Sequence, residues 1–358
     1  MTILLRGGAG AMYERVAPER FDSLPEIPEP SENPLLIGHD EAASLLASAY
    51  RAGKLHHGLL LAGPPGIGKA TLAFHLANHL LSNPDPSSAP ERFVAPDPAS
   101  QTFRLIAQDA HPSLLHLTRP FVERDKKFKT VITVDEIRRI QRFLSLTPHD
   151  GGYRVVIVDP ADDMNISAAN ALLKSLEEPP PRTVFVLITH SPGRLLPTIR
   201  SRCQVLRLQP LQDRQLMQLL SELGAADEST GAELASRSQG SVRNAILLSQ
   251  FGGAEITDIL HKLVNARDFD PAEALRLGDA VSGRERDVQF AIFNRAVLDM
   301  IAERASSLAI SGDGIGASRA AELWEDVNTT IREAETFNLD RKQHAAGLAA
   351  RLNTAFRG

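Results

Sequence analysis

Residues 63–69 read Gly63-Pro64-Pro65-Gly66-Ile67-Gly68-Lys69, a GxxxxGK pattern. Such a loop wraps backbone N–H groups around a phosphate and aims a lysine ammonium at it. The pattern requires a strand before it and a helix after it. His57–Ala62 (HGLLLA) predicts a buried strand, and Ala70–Leu81 predicts a helix. A glycine-rich turn capping an ordinary helix is the competing reading. An active phosphate loop places Ser or Thr after the lysine, where its hydroxyl binds magnesium. Here that residue is Ala70. Thr71 follows, but one residue turns the side chain by about 100° around a helix. Nucleotide binding, ATP or ADP, is therefore expected to be weak or without turnover, and magnesium lacks its usual hydroxyl.

A second acid stands where such chemistry needs one. Val155-Val156-Ile157-Val158 is an apolar run ending in Asp159, the position of a metal-side carboxylate at the carboxyl edge of a sheet. Hydrolysis also needs a group to polarise water at the next position, and Pro160 cannot do that. Asp162 and Asp163 follow and read as a solvated loop or a helix cap.

These motifs need elements to hold them. Leu114–Leu117, Tyr153–Val158 and Thr183–Thr189 predict further strands. Helices are predicted at Val134–Leu146 and Ser167–Glu178, the latter stopped by Pro179, Pro180 and Pro181. Short continuous apolar runs separated by helices indicate an α/β fold, a parallel sheet covered on both faces. The expected organisation is a disordered leader over 1–33 and a nucleotide-binding α/β domain over 34–208. A helical lid over 209–253 and an all-helical collar over 254–358 follow. Ser82–Gln101, rich in Pro, Ser and Asp, predicts a loop. In the last part Phe290, Phe293, Val297, Leu298 and Ile301 share one helical face, more often core than interface. Asn338 or Asp340 is placed to cap a last helix.

Composition bounds the remaining classes. The chain has 358 residues, 43% apolar and 23% charged, with a formal charge of −5. That balance argues against a binder that coats nucleic acid with its whole surface. No apolar run reaches membrane-spanning length, and no secretory signal pattern is present. The single cysteine, Cys203, excludes a disulfide framework and fits a reducing cytoplasm.

The stretch Ser167-Ala168-Ala169-Asn170-Ala171-Leu172-Leu173-Lys174-Ser175-Leu176-Glu177-Glu178-Pro179-Pro180 is followed after one strand by Ile199-Arg200-Ser201-Arg202-Cys203. This combination resembles the bacterial clamp-loader family of AAA+ proteins, the delta-prime and gamma/tau subunits of DNA polymerase III. The resemblance covers roughly residues 34–253. It implies an AAA+ sheet domain with helical lid and collar, and gives Arg202 the role of an arginine finger acting in trans on a neighbour's ATP. Thr189 falls at the sensor-1 position, where a strand-end threonine is also common. Arg243 falls at the sensor-2 position, where a helix-surface arginine is the competing reading. Ile37, Gly38 and His39 fall in the segment that shapes the adenine pocket. Many relatives carry a four-cysteine zinc module that residues 83–112 lack, so no zinc is expected.

Missing a Ser/Thr at 70 and a Glu at 160 while keeping Arg202 suits a stator subunit of the delta-prime kind. The implied partners are gamma/tau and delta subunits, the sliding clamp and, through the complex, primer-template DNA, with no membrane. Such a chain neither polymerises DNA nor turns over ATP efficiently. A gamma/tau-type motor or an autonomous AAA+ ATPase is the alternative. Lys126, Lys127 and Lys129 are candidate DNA contacts, although such a run is more often a solvated loop.

Overall fold

The computed structural model describes residues 15–145, 151–225, 228–283 and 286–357. It divides into two compact units, 1–245 and 246–358, and each is described by itself.

The first unit is built on five parallel strands. These are β1 (Gly58–Ala62), β2 (Leu114–Leu117), β5 (Arg154–Val158), β6 (Thr183–Thr189) and β7 (Gln204–Arg207), in the order β2-β5-β6-β1-β7. A two-stranded hairpin of β3 (Phe121–Val122) and β4 (Lys127–Phe128) lies between β2 and the next helix. Strand side chains alternate between faces, and the central strands bury both. Leu59, Leu61, Val155, Ile157, Val184 and Val186 pack with Leu72, Leu76 and Leu80 of the helix Lys69–Ser82. Leu60, Val156, Val158, Phe185 and Leu187 pack on the other face with Ile137, Ile140, Leu172 and Leu176. Those partners come from the helices Val134–Ser145 and Ile166–Glu177. Leu146, the last residue of the expected helix at 134–146, lies outside the described residues.

Strand β7 has no counterpart in the sequence reading. It is an edge strand in which Leu206 is buried and Gln204, Val205 and Arg207 are exposed, so its apolar signal is carried by little more than one inward residue. The helices Asp213–Glu222 and Glu228–Ser238, expected in a separate lid, fall in the same compact unit as the sheet. The helix Val242–Gln250 crosses the division.

The expected disordered leader is corrected over residues 15–33; its first fourteen residues lie outside the described set. Residues 15–33 form an irregular strap without helix or strand. Glu32 accepts hydrogen bonds from the Val16 and Ala17 N–H groups at 2.7 and 3.0 Å. Glu29 pairs with Arg15 at 3.2 Å, and Leu24 and Ala17 are buried. The polar composition that suggested disorder supplies internal acceptors for the strap's backbone instead.

The second unit is helical throughout its described residues: Gly253–Asn265, Pro271–Val281, Asp287–Ile310, Gly314–Phe337 and Arg341–Arg357. Phe290, Phe293, Val297 and Ile301 lie in its core, with Leu298 packed at the margin. Asn338 ends the fourth of these helices in a left-handed conformation. Asp340 caps the last, its carboxylate accepting from the Gln343 N–H at 2.8 Å.

Candidate nucleotide site and finger

The phosphate loop leaves the carboxyl end of β1 and feeds the helix Lys69–Ser82. Its first residue is tied to the sheet, the Gly63 N–H donating to the Thr189 carbonyl at 3.3 Å. Gly66 has φ +75°, and a Cβ there would lie 2.6 Å from the Cβ of Arg243 and strike the Ser241 hydroxyl. Glycine is thus required both by conformation and by a close approach. Ser241 donates to the Pro65 carbonyl at 3.1 Å and the Arg243 N–H to the Gly66 carbonyl at 3.4 Å. The start of the helix Val242–Gln250 is therefore seated directly on the loop. Ile67 turns its side chain into the core, while its carbonyl bonds His39 Nε2 at 2.6 Å. His39, to which the sequence alone gives no weight, thereby joins the loop from the 37–39 segment.

Lys69 is buried and donates from Nζ to the Gly63 and Pro64 carbonyls at 2.7 and 2.5 Å. Burial lowers its pKa to about 8, opposed by the carboxylates of Asp159 and Asp162. Asp159, at the end of β5, is pushed up to about 7 by desolvation and by Asp22, against the pull of Lys69. The two groups thus share an enclosed, low-dielectric place in which neither charge is fully compensated. Ala70 packs against the core and supplies no hydroxyl, and Thr71 follows it on the helix. A phosphate fits this donor set, with three glycines, a helix start and Lys69. A magnesium ion lacks the hydroxyl that ordinarily holds it there.

Strand β6 lies between β5 and β1, so Thr189 stands between Asp159 and the loop. Its hydroxyl is buried and donates to Asp162 Oδ1 at 2.7 Å, and the His190 N–H donates to Asp162 Oδ2 at 2.5 Å. Asp162 is therefore tied to the end of β6 rather than being a solvated loop residue. Asp163 pairs with Arg119 at 2.6 Å. The signal for both was present in the pair of acids after Asp159, but their partners lie 27 and 44 residues away.

Arg202 lies elsewhere. It follows the short helix Pro197–Arg200 and precedes β7. A Cβ on Gly58, at the amino end of β1, would lie 2.9 Å from the Arg202 carbonyl. The phosphate loop leaves the other end of that five-residue strand, roughly 15 Å away at about 3.3 Å per residue. The Arg202 guanidinium pairs with Glu177 at 2.6 Å and bonds the Thr198 carbonyl at 2.9 Å, with its side chain 35% exposed. The ion pair of the competing reading is present, alongside an accessible guanidinium. Cys203 packs against the cluster containing Leu176, and burial pushes its thiol up to about 11, as for a structural cysteine. Lys126, Lys127 and Lys129 belong to the β3–β4 hairpin region.

The strand order, with a GxxxxGK loop after β1 and an acid at the end of β5, defines an AAA+ P-loop protein. A family model described as DNA polymerase III, delta subunit, matches residues 38–212. DNA polymerase III subunit delta-prime of Pseudomonas aeruginosa is 44% identical over 147 residues, 41% of this chain and 41% of that relative. The delta-prime subunit of Yersinia pestis is 30% identical over 273 residues, 69% of this chain and 76% of the relative. Subunit gamma of Buchnera aphidicola is 29% identical over 218 residues, 60% of this chain and 56% of the relative. The chain thus spans about two fifths of the length of the first of these relatives. It belongs to the DNA polymerase III delta-prime family.

Among the described residues, no helix is long and apolar enough to cross a membrane.

Proposed function

We propose that this chain is the stator subunit of a DNA polymerase III clamp loader, donating Arg202 to ATP held by a neighbouring gamma/tau subunit. The observation that carries this is the separation of the finger from the chain's own site. Arg202 sits at the amino end of β1, and the phosphate loop leaves its carboxyl end. A partly exposed arginine so placed is suited to serve a site on another molecule. The guanidinium is permanently charged and offers a planar fork of donors. In the assembled ring it exchanges the Glu177 carboxylate for the neighbour's γ-phosphate.

The chain's own loop is read as a nucleotide site that binds without efficient turnover. Gly63, Gly66, Gly68 and Lys69 hold phosphate oxygens, Asp159 and Thr189 line the far side, and Arg243 reaches in from the lid. Bound there, ATP or ADP supplies negative charge that bridges loop and lid. Ala70 offers no hydroxyl for magnesium, and Pro160 offers no base for water. Residues 34–208, 209–253 and 254–358 then act as sheet domain, lid and collar, the collar joining gamma/tau and delta subunits. The sliding clamp and primer-template DNA are engaged through the complex, in the cytoplasm.

The test is ATP hydrolysis by the isolated chain, then by the reconstituted loader with gamma/tau, delta, clamp and primed DNA. The isolated chain is expected to be inert, and Arg202→Ala to slow the loader strongly. Steady turnover by the isolated chain, abolished by Lys69→Ala, overturns this reading in favour of an autonomous ATPase.

A further inference from the structure

The strap at 15–33 ends up against the nucleotide site, and the way it is fastened there points to a role. Arg20 pairs with Asp109 at 2.6 Å. The next residue, Phe21, lies under the Arg119 guanidinium at 4.2 Å from its ring centre, and Arg119 is itself held by Asp163. At the strap's end the Asn33 carbonyl is bonded by His75 of the helix that follows the phosphate loop, at 3.0 Å. Between these anchors Asp22 reaches the guanidinium of Arg243 at 3.6 Å. Arg243 is the residue whose backbone is seated on Gly66. Asp22 also stands near enough to Asp159 to oppose its ionisation. One carboxylate of the strap therefore faces the arginine that is seated on the phosphate loop.

We infer that the strap is a tethered competitor of nucleotide: Asp22 takes the place of a phosphate on Arg243, and nucleotide binds only as the strap lifts from that corner. A carboxylate and a phosphate oxygen offer a guanidinium the same acceptor geometry. Tethering presents the carboxylate at a high effective concentration without an external ligand. Glu32 ties the strap to itself, accepting from the N–H groups of Val16, Ala17 and Glu29. The inference rests on the reading of the phosphate loop as a nucleotide site, and not on the role of Arg202.

The full chain is titrated with N-methylanthraniloyl-ATP, comparing wild type with Asp22→Asn, Phe21→Ala/Asp22→Asn and the binding control Lys69→Ala. The Asp22–Arg243 pair is partly exposed, so Asp22→Asn is expected to tighten binding by about two- to five-fold. The double variant is expected to tighten it further, since it also loses the Arg119 contact. Hydrogen exchange of the 15–33 peptide is followed in the wild type, and protection is expected to fall as the nucleotide saturates. Equal affinity in all chains with Lys69 intact overturns the inference, as does a strap that stays protected at saturation. Failure of every chain to bind also overturns it, because the strap is then not what keeps nucleotide away. Loader turnover and its dependence on Arg202 are measured separately, so a stator can survive the loss of this inference.

Discussion

Thr189 and Asp162 are joined by a 2.7 Å hydrogen bond that connects the end of β6 to the loop after β5. Asp162 accepts from the neighbouring His190 N–H through its other oxygen. Removing the carboxylate leaves a buried hydroxyl without this partner, a change that costs about 1–3 kcal/mol. Asp162→Ala is therefore expected to lower unfolding stability by that amount, and Asp162→Asn by less, because an amide oxygen can still accept. Urea denaturation of both variants checks this. An unchanged midpoint in Asp162→Ala contradicts a structural bond at this position.

The unequal legibility of the site follows from where each partner lies in the chain. The phosphate loop is local: seven consecutive residues between a strand and a helix carry it, and Gly63–Lys69 folds accordingly. The buried strands were legible because Val155–Val158 and Thr183–Thr189 are apolar on both faces. Asp162, Asp163 and His39 were not legible as site residues, since each is defined by a contact that the fold creates. Strand β7 was hidden because an edge strand buries one face only. The strap was misjudged on its composition, since nothing in a polar, proline-rich segment shows that Glu32 will collect its backbone donors.

Arg202 is bound to Glu177 across an exposed surface, so its substitution separates function from folding. An exposed ion pair contributes at most about 1 kcal/mol, and Arg202→Ala is expected to leave the melting temperature of the isolated chain nearly unchanged. In the reconstituted loader the same variant is expected to reduce ATP turnover by on the order of 10³-fold, the scale of a finger supplied in trans. Arg202→Lys, which keeps the charge but loses the planar fork, is expected to recover only a small part of that. Full recovery by lysine would show that charge alone suffices.

Burial of Lys69 and Asp159 gives stability a definite pH dependence. Asp159 titrates near 7 in the folded chain against an ordinary value of 3.8. Between roughly pH 4 and pH 7 the folded chain keeps a proton that the unfolded chain has lost, so this group makes stability fall as pH rises through that window. Lys69 titrates near 8 against an ordinary 10.5. Between those values the unfolded chain keeps the extra proton, and this group makes stability rise with pH. Among the surrounding charges, Asp22 and Asp163 push Asp159 further up and Arg20 pulls it down, while Asp162 favours the charged form of Lys69. Asp159→Asn is expected to flatten the lower window and Lys69→Met the upper one. Melting temperatures from pH 4 to 10.5 on the three chains decide it, and parallel curves count against the pair.

In the helical unit, Asn353 is the buried polar anchor of the first helix's end. Its side-chain amide donates to the carbonyls of Leu263, Val264 and Ala266 at 3.0, 3.0 and 2.9 Å. These carbonyls lie at the carboxyl end of Gly253–Asn265, where a helix runs short of backbone donors, and of the three Leu263 also accepts from the Ala266 N–H at 3.4 Å. One side chain from the last helix thus closes the end of the first, with Leu352 and Ala349 packed beside it in the core. Asn353→Leu fills similar volume but leaves these carbonyls without the amide, at a cost of about 2 kcal/mol or more. Asn353→Asp places a carboxylate against them and is expected to be worse still, since like partial charges then face each other in a buried site. Thermal unfolding of the full chain is expected to rank wild type above Leu and Leu above Asp. A leucine variant as stable as the wild type would mean that the helix end is held by packing alone.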